Sequence, residues 1–218
     1  MSTFESTSLL QFASAARVSP PALPPIETSE ADDLTGYEVF IDLIRRERLD
    51  RMAGDFLEIG CCLGGGTAKL AKLATSVDKQ VWVIDPFDTN LSSEAGPTQE
   101  EIFRQVTAPW SASIQVLKQD STRARLPDGL RFGFAFADGN RDPVRVKSDF
   151  QLVWRRLLPG GWAGFHDYGG DLPDVTAALD SMLEQYAAEI GRVEKIEDRW
   201  ILLVQKRGEA SGKDQSSS

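Results

Sequence analysis

Apolar positions along this chain alternate between two spacings. Tyr37, Phe40, Ile41, Ile44 and Leu49 recur at helical intervals behind Thr35-Gly-Tyr-Glu38, a capping-box sequence, so a helix is predicted from Thr35. Its charged run, Arg45-Arg46-Glu47-Arg48, reads as the solvated side. Asp55-Phe-Leu-Glu-Ile59 then predicts a short buried strand, followed by a glycine-rich turn. Ala68, Leu70, Ala71, Leu73 and Ala74 return to helical spacing.

The same alternation continues to the C-terminal end. Val81-Trp-Val-Ile-Asp85 and Ser113-Ile-Gln-Val-Leu117 predict the second and third strands. Between them, a second capping box, Thr98-Gln-Glu-Glu101, opens a helix carrying Ile102, Phe103 and Val106. Phe132-Gly-Phe-Ala-Phe-Ala-Asp138 is apolar nearly throughout, as a strand buried on both faces must be. Phe150, Val153, Trp154 and Leu157 predict a helix that stops at Pro159-Gly-Gly161, and Trp162 to His166 a fifth strand. A helix is expected over about Pro173 to Ala188. Val193–Ile196 and Trp200–Gln205 are expected to form a hairpin around Glu197-Asp-Arg199.

Strands alternating with helices and closing in a hairpin define an α/β fold. The expected sheet is seven-stranded and mostly parallel, with an antiparallel C-terminal hairpin and helices on both faces. Residues 1–30 are rich in Ser, Ala and Pro and are expected to be a flexible arm. The domain is expected over residues 31–207, and residues 208–218 as a disordered polar tail.

At 218 residues, 41% hydrophobic and 26% charged, the chain fits one globular domain. A net charge of -9 argues against a nucleic-acid partner and favours a small-molecule substrate. The only cysteines, Cys61 and Cys62, are adjacent. They read as small residues filling a tight turn rather than as a redox pair or a disulfide framework. No apolar run reaches membrane-spanning length, and no signal peptide is evident, so the expected location is the cytoplasm, without membrane attachment. A homo-oligomer is compatible with these features.

Ligands of open α/β sheets gather beyond the carboxyl ends of the strands. Four predicted strands lead into carboxylates, Glu58, Asp85, Asp120 and Asp138, and the fifth leads into His166 and Asp167. Such a gathering of like charge suits a cationic ligand or a metal. Gly60 and Gly64 to Gly66 would let backbone approach that ligand. The dinucleotide fingerprint G-x-G-x-x-G fails, because Cys62 holds the place of its second glycine.

The spacing that is present, E-x-G-x-x-x-G from Glu58 to Gly64, resembles motif I of the class I S-adenosylmethionine (SAM) methyltransferases. The resemblance implies a Rossmann-like fold with SAM held among Glu58, Gly60, Cys61, Gly64, Gly65, Asp85, Phe87, Asp120, Ser121 and Asp138. Glu58 would face the cationic amine and Asp85 would accept both ribose hydroxyls. Asp120-Ser121 would address the adenine amine.

A second cluster is more specific. Asp138-Gly-Asn-Arg141, a Trp-bearing helix, Leu157-Leu-Pro-Gly-Gly161 and His166-Asp-Tyr168 together resemble the catechol-type and macrocin-type small-molecule O-methyltransferases, over roughly Thr35 to Arg207. That implies methyl transfer to a hydroxyl of a sugar or phenolic metabolite, with Asp138 and Asp167 at the positions that often bind Mg²⁺. Two residues depart from the pattern: Arg141 stands where a histidine is common, and His166 where several metal-dependent members place an acid. Metal dependence therefore stays open.

His166, the only histidine, is the candidate general base, with Asp138 the alternative; a satisfied histidine at a strand end is the structural reading. Arg141 is a candidate for an acidic acceptor or a plain surface residue. Trp110, Trp162 and Tyr168 are candidates for stacking on an acceptor, although Trp162 opens a strand and reads as core. The segment from Asp88 to Trp110 and the first helix are expected to cover the pocket. Two other functions fit less well: a non-catalytic SAM-binding or partner protein, and a nucleotide-sugar dehydrogenase, for which the Tyr-x-x-x-Lys pair is missing.

Overall fold

The computed structural model describes residues 36–89 and 96–208. The expected arm, the Thr35 cap and the tail beyond Gly208 lie outside the described residues. Helices α1 (Glu38–Arg46), α2 (Gly65–Ser76), α3 (Gln99–Thr107), α4 (Pro143–Arg156) and α5 (Pro173–Gln185) surround one sheet. Its strands are β1 (Asp55–Ile59), β2 (Val81–Ile84), β3 (Ile114–Leu117), β4 (Phe132–Ala137), β5 (Leu157–Phe165), β6 (Ile190–Ile196) and β7 (Ile201–Lys206). Among the described residues the strand order is β3-β2-β1-β4-β5-β7-β6.

Side chains alternate across a strand, and here both sets are apolar because both faces are covered. Phe56, Phe134, Phe136, Trp162 and Leu203 pack on one face under α1, α2 and α3. Leu57, Ile59, Ala135, Ala163, Phe165 and Leu202 pack on the other under α4 and α5. Helix α3 starts at the expected capping box, with the Thr98 hydroxyl accepting from the Glu101 N–H and the Glu101 carboxylate accepting from the Thr98 N–H.

The elements differ from expectation in four places. Strand β5 begins at Leu157, which pairs with Phe132, so Pro159-Gly-Gly161 forms an irregular stretch within the strand rather than a helix end. Helix α5 stops at Gln185, and β6 starts at Ile190, ahead of Val193. The hairpin also enters the sheet by its second strand. β7 lies antiparallel between β5 and β6, which leaves β6 at the edge running in the same sense as β5. Trp200 is a left-handed turn residue (φ 53°) before β7 rather than part of it. No helix among the described residues is long and apolar enough to cross a membrane.

Candidate active site

Parallel register sets the rim of the site. Ala137 pairs with Phe165, and the ladder runs on past both strands: His166 N–H donates to Ala137 C=O at 3.1 Å, and Asp138 N–H donates to Ile59 C=O at 2.8 Å. Asp138 and His166 therefore emerge side by side from β4 and β5. Asp167 follows with φ 62°, a left-handed conformation that Asp tolerates better than most residues. Asp85 emerges one strand beyond β1, directly after β2.

Glu58 does not reach that rim, which corrects its expected role at the cofactor amine. It lies inside β1, two residues from Phe56 and on the same face, beneath α1 and α2. The Tyr37 hydroxyl donates to Oε1 at 2.5 Å and the Thr67 hydroxyl donates to Oε2. Burial pushes the carboxyl up to about 7, against the effect of those two hydrogen bonds. Glu58 thus ties the N-terminal ends of two helices to the central strand.

Close packing also requires the glycines. A Cβ on Gly64 would lie 2.8 Å from the Phe103 ring, and one on Gly66 would lie 2.5 Å from the Tyr37 ring. Gly60, at φ 83°, presses against the Asp138 carbonyl, where a Cβ would come within 2.4 Å. This contact sets the glycine loop against the end of β4. Gly65 opens α2.

Asp85 is buried and already ties two loops together. Cys61 N–H donates to Oδ2 at 2.9 Å and Phe87 N–H to Oδ1 at 2.7 Å. Gln99, from the start of α3, reaches Oδ1 at 3.4 Å and donates to the Cys62 carbonyl at 3.0 Å. The carboxylate still borders a cleft of about 480 Å³, with Gly60, Asp120, Ser121, Gly139, Asn140 and Arg145 among its walls. Of the expected cofactor residues, Gly60, Asp85, Asp120 and Ser121 meet there. Glu58, Cys61, Gly64, Gly65 and Phe87 do not line the cleft; Phe87 packs edge-on to Phe103. Cys61 contributes through its backbone, and its buried thiol is pushed up by desolvation.

Asp120 has commitments of its own. Its carboxylate accepts from the Thr122 N–H and hydroxyl at 2.9 and 2.6 Å, and pairs with Arg145. Those contacts, Thr122 first, hold its pKa at about 2.

A smaller cavity of about 20 Å³ adjoins the cleft and is lined by Asp138, Gly139, Asn140, Asp149, His166 and Asp167 among others. His166 Nδ1 stands 3.2 Å from Asp138 Oδ1 and 3.3 Å from Asp167 Oδ1. Burial disfavours the imidazolium, but the two carboxylates outweigh it and leave the His166 pKa raised. Arg141 Nε donates to Asp167 Oδ2 at 2.6 Å, so this loop arginine closes onto the end of β5. Asp138, His166 and Asp167 can each direct one ligand atom to within 4.8 Å of the others. Two carboxylates close enough to share an ion suit a hard divalent cation such as Mg²⁺, with the imidazole nitrogen the less suited donor.

Two of the stacking candidates are buried. Trp162 is fully buried, as its strand position suggested, with Arg192 over its ring at 4.8 Å. Tyr168 is buried as well; its hydroxyl donates to Asp180 at 2.8 Å and accepts from Lys195 at 2.8 Å, so it braces α5 and β6. Asp149, Gln99 and Arg145 escaped sequence reasoning. Only Asp149 left a signal: an acid at helical spacing among the buried Val146, Phe150 and Val153.

The methyltransferase-domain family matches residues 57–168, from β1 through the His166-Asp167-Tyr168 end of β5. The chain belongs to that family. No curated protein sequence matches it significantly. Its fold is similar to that of the O-methyltransferase NovP, at 16% identity and a TM-score of 0.61, covering 79% of this chain and 80% of that one. The N-methyltransferase NodS from Bradyrhizobium japonicum WM9 is similar at 20% identity and 0.54, over 79% of this chain and 97% of that one. The MycE methyltransferase of the mycinamycin biosynthetic pathway, solved with Mg, SAH and mycinamycin VI, is similar at 17% and 0.55, over 81% of this chain and 51% of that one. The family assignment leaves the dehydrogenase alternative without support.

Proposed function

We propose that this protein is a SAM-dependent O-methyltransferase acting on a hydroxyl of a small molecule, of the sugar or phenolic metabolite type. The observation that carries the reading is a shared wall. Gly139 and Asn140 line both the cleft and the small cavity, so the Asp138–His166–Asp167 cluster sits beside the cleft in which Asp85 offers a carboxylate to a ribose. The methyl donor and a proton-accepting group would then meet at one edge. NovP, an O-methyltransferase that shares the fold, supports the choice of a hydroxyl acceptor.

The protein's task is to align the hydroxyl with the sulfonium methyl and to take the hydroxyl proton as the bond forms. His166 is the base; Asp138 and Asp167 orient its ring and favour the imidazolium that results. Where a divalent ion is bound, Asp138 and Asp167 hold it, and it supplies polarisation of the acceptor hydroxyl. Arg141 neutralises part of the acidic cluster. The test is formation of S-adenosylhomocysteine from SAM against a panel of sugar and phenolic hydroxyls, with and without Mg²⁺. Turnover confined to amines, or none on any member, would refute the reading.

A further inference from the structure

Trp200 is the one exposed aromatic residue among the described residues, at 48% exposure, whereas Trp154 and Trp162 are fully buried. It stands in the turn between β6 and β7 with φ 53°, a left-handed conformation that is costly for so bulky a side chain. Its neighbours fix where it stands. The antiparallel pairing of Phe165 with Leu202 runs on past both strands, and Tyr168 N–H donates to Trp200 C=O at 2.9 Å. Trp200 therefore adjoins the His166-Asp167-Tyr168 segment. A Cβ on Gly170 would lie 3.0 Å from both Cγ and Cδ2 of the indole and 3.3 Å from Cδ1. Near-equal distances to those three atoms put the glycine against the face of the ring and not its edge.

The strand order relates this ring to the chemistry. Along the rim come Asp85 after β2, Asp138 after β4, His166 after β5, then Trp200 ahead of β7. The cleft that borders Asp85 lies on the β1 and β2 side of the acidic cluster. An acceptor whose hydroxyl meets Asp138, His166 and Asp167 has to extend its other atoms away from the methyl donor, toward β7. Adjacent strands lie about 4.8 Å apart, a step that one six-membered ring spans. We propose, on the reading of this site as a small-molecule O-methyltransferase, that Trp200 is the stacking platform for the ring that carries the reacting hydroxyl. The face of an indole is the negative pole of its quadrupole, so it attracts the C–H bonds of a pyranose or an offset phenolic ring. Both offer the flat, carbon-bearing face that the platform requires. A hydroxyl compound without a ring gains nothing from it.

With 5-fluorotryptophan in place of its five tryptophans, the protein gives one ¹⁹F resonance per indole, and Trp200→Phe assigns that of Trp200. Catechol and methyl α-glucopyranoside, titrated in the presence of S-adenosylhomocysteine, are the phenolic and sugar probes, with glycerol as the compound lacking a ring. At least one ring probe should move the Trp200 resonance saturably while glycerol leaves it in place, and the probe that does so identifies the source of the ring. A Trp200 resonance unmoved by both ring probes, or moved equally by glycerol, overturns the proposal. Trp200→Ala should raise the KM of a methylated ring acceptor by about tenfold with SAM affinity unchanged, and Trp200→Phe, which keeps a ring, should lose less. An unchanged KM in folded Trp200→Ala also overturns it; if that variant does not fold, the titration of the native protein decides. Turnover on the hydroxyl panel with an unmoved Trp200 would strike this inference alone. A shifted Trp200 without methyl transfer to any hydroxyl would strike the functional reading and leave the binding face standing.

Discussion

The Tyr37 hydroxyl donates to Glu58 Oε1 at 2.5 Å, joining the N-cap of α1 to the C-terminal end of strand β1. A residue placed by its motif at a ligand amine thus pins a helix over the glycine loop. Thr67 holds the other oxygen, so the pairing of α1 and α2 passes through one buried carboxyl.

That arrangement has a pH signature. The folded-state pKa of Glu58, about 7, lies above its ordinary 4.5. A raised pKa contributes stability that is full below the unfolded value and lost as pH rises through the folded one. Stability should therefore fall between about pH 4.5 and 7, by roughly 3 kcal/mol at most from this group. Glu58→Gln should flatten that slope in urea titrations at several pH values. Equal slopes in the two proteins would show that Glu58 is not the titrating group.

Asp85→Ala should have two effects. Cys61 N–H and Phe87 N–H lose their acceptor, at a cost of about 1–3 kcal/mol each where they remain buried and unpaired. SAM affinity should fall at least tenfold by calorimetry on the folded variant, since a carboxylate acceptor for the ribose is lost. Native affinity in the folded variant would remove Asp85 from cofactor recognition.

His166→Gln should reduce kcat by roughly 10²–10⁴-fold with little change in SAM affinity, the usual size of a general-base contribution. The neutral imidazole is the active form, so the native rate should fall on acidification. Because Asp138 and Asp167 raise the pKa, the midpoint of that fall in kcat/KM should lie above the ordinary 6.5. A variant that keeps the acidic limb and turns over normally would move the role to Asp138.

Metal dependence should follow the carboxylates. If a divalent ion contributes, Asp138→Asn and Asp167→Asn should each abolish the response of the rate to Mg²⁺ while sparing SAM binding. Full native activity in excess chelator would leave the protein base as the sole activator. Arg141→Gln frees Asp167 Oδ2 from its guanidinium and should tighten Mg²⁺ binding, measured by titration of the ion.

The succession of elements was legible because it is a local property. Period-2 and period-3.6 apolar patterns mark strands and helices, and acids or a histidine following buried strands mark the rim of a parallel sheet. Asp85, Asp138, His166 and Asp167 were found in this way, and so was the capping box at Thr98. What the sequence could not state is which face a side chain takes and who stands opposite. Glu58 is one residue inside its strand rather than beyond it, and alternation turns it beneath Tyr37 and Thr67 instead of into the cleft. The inserted position of β7, the closure of Arg141 on Asp167 and the cavity that Asp149 and His166 both line all join residues far apart in the chain. Packing decides those contacts, since they depend on how the elements stack rather than on the pattern within any one of them.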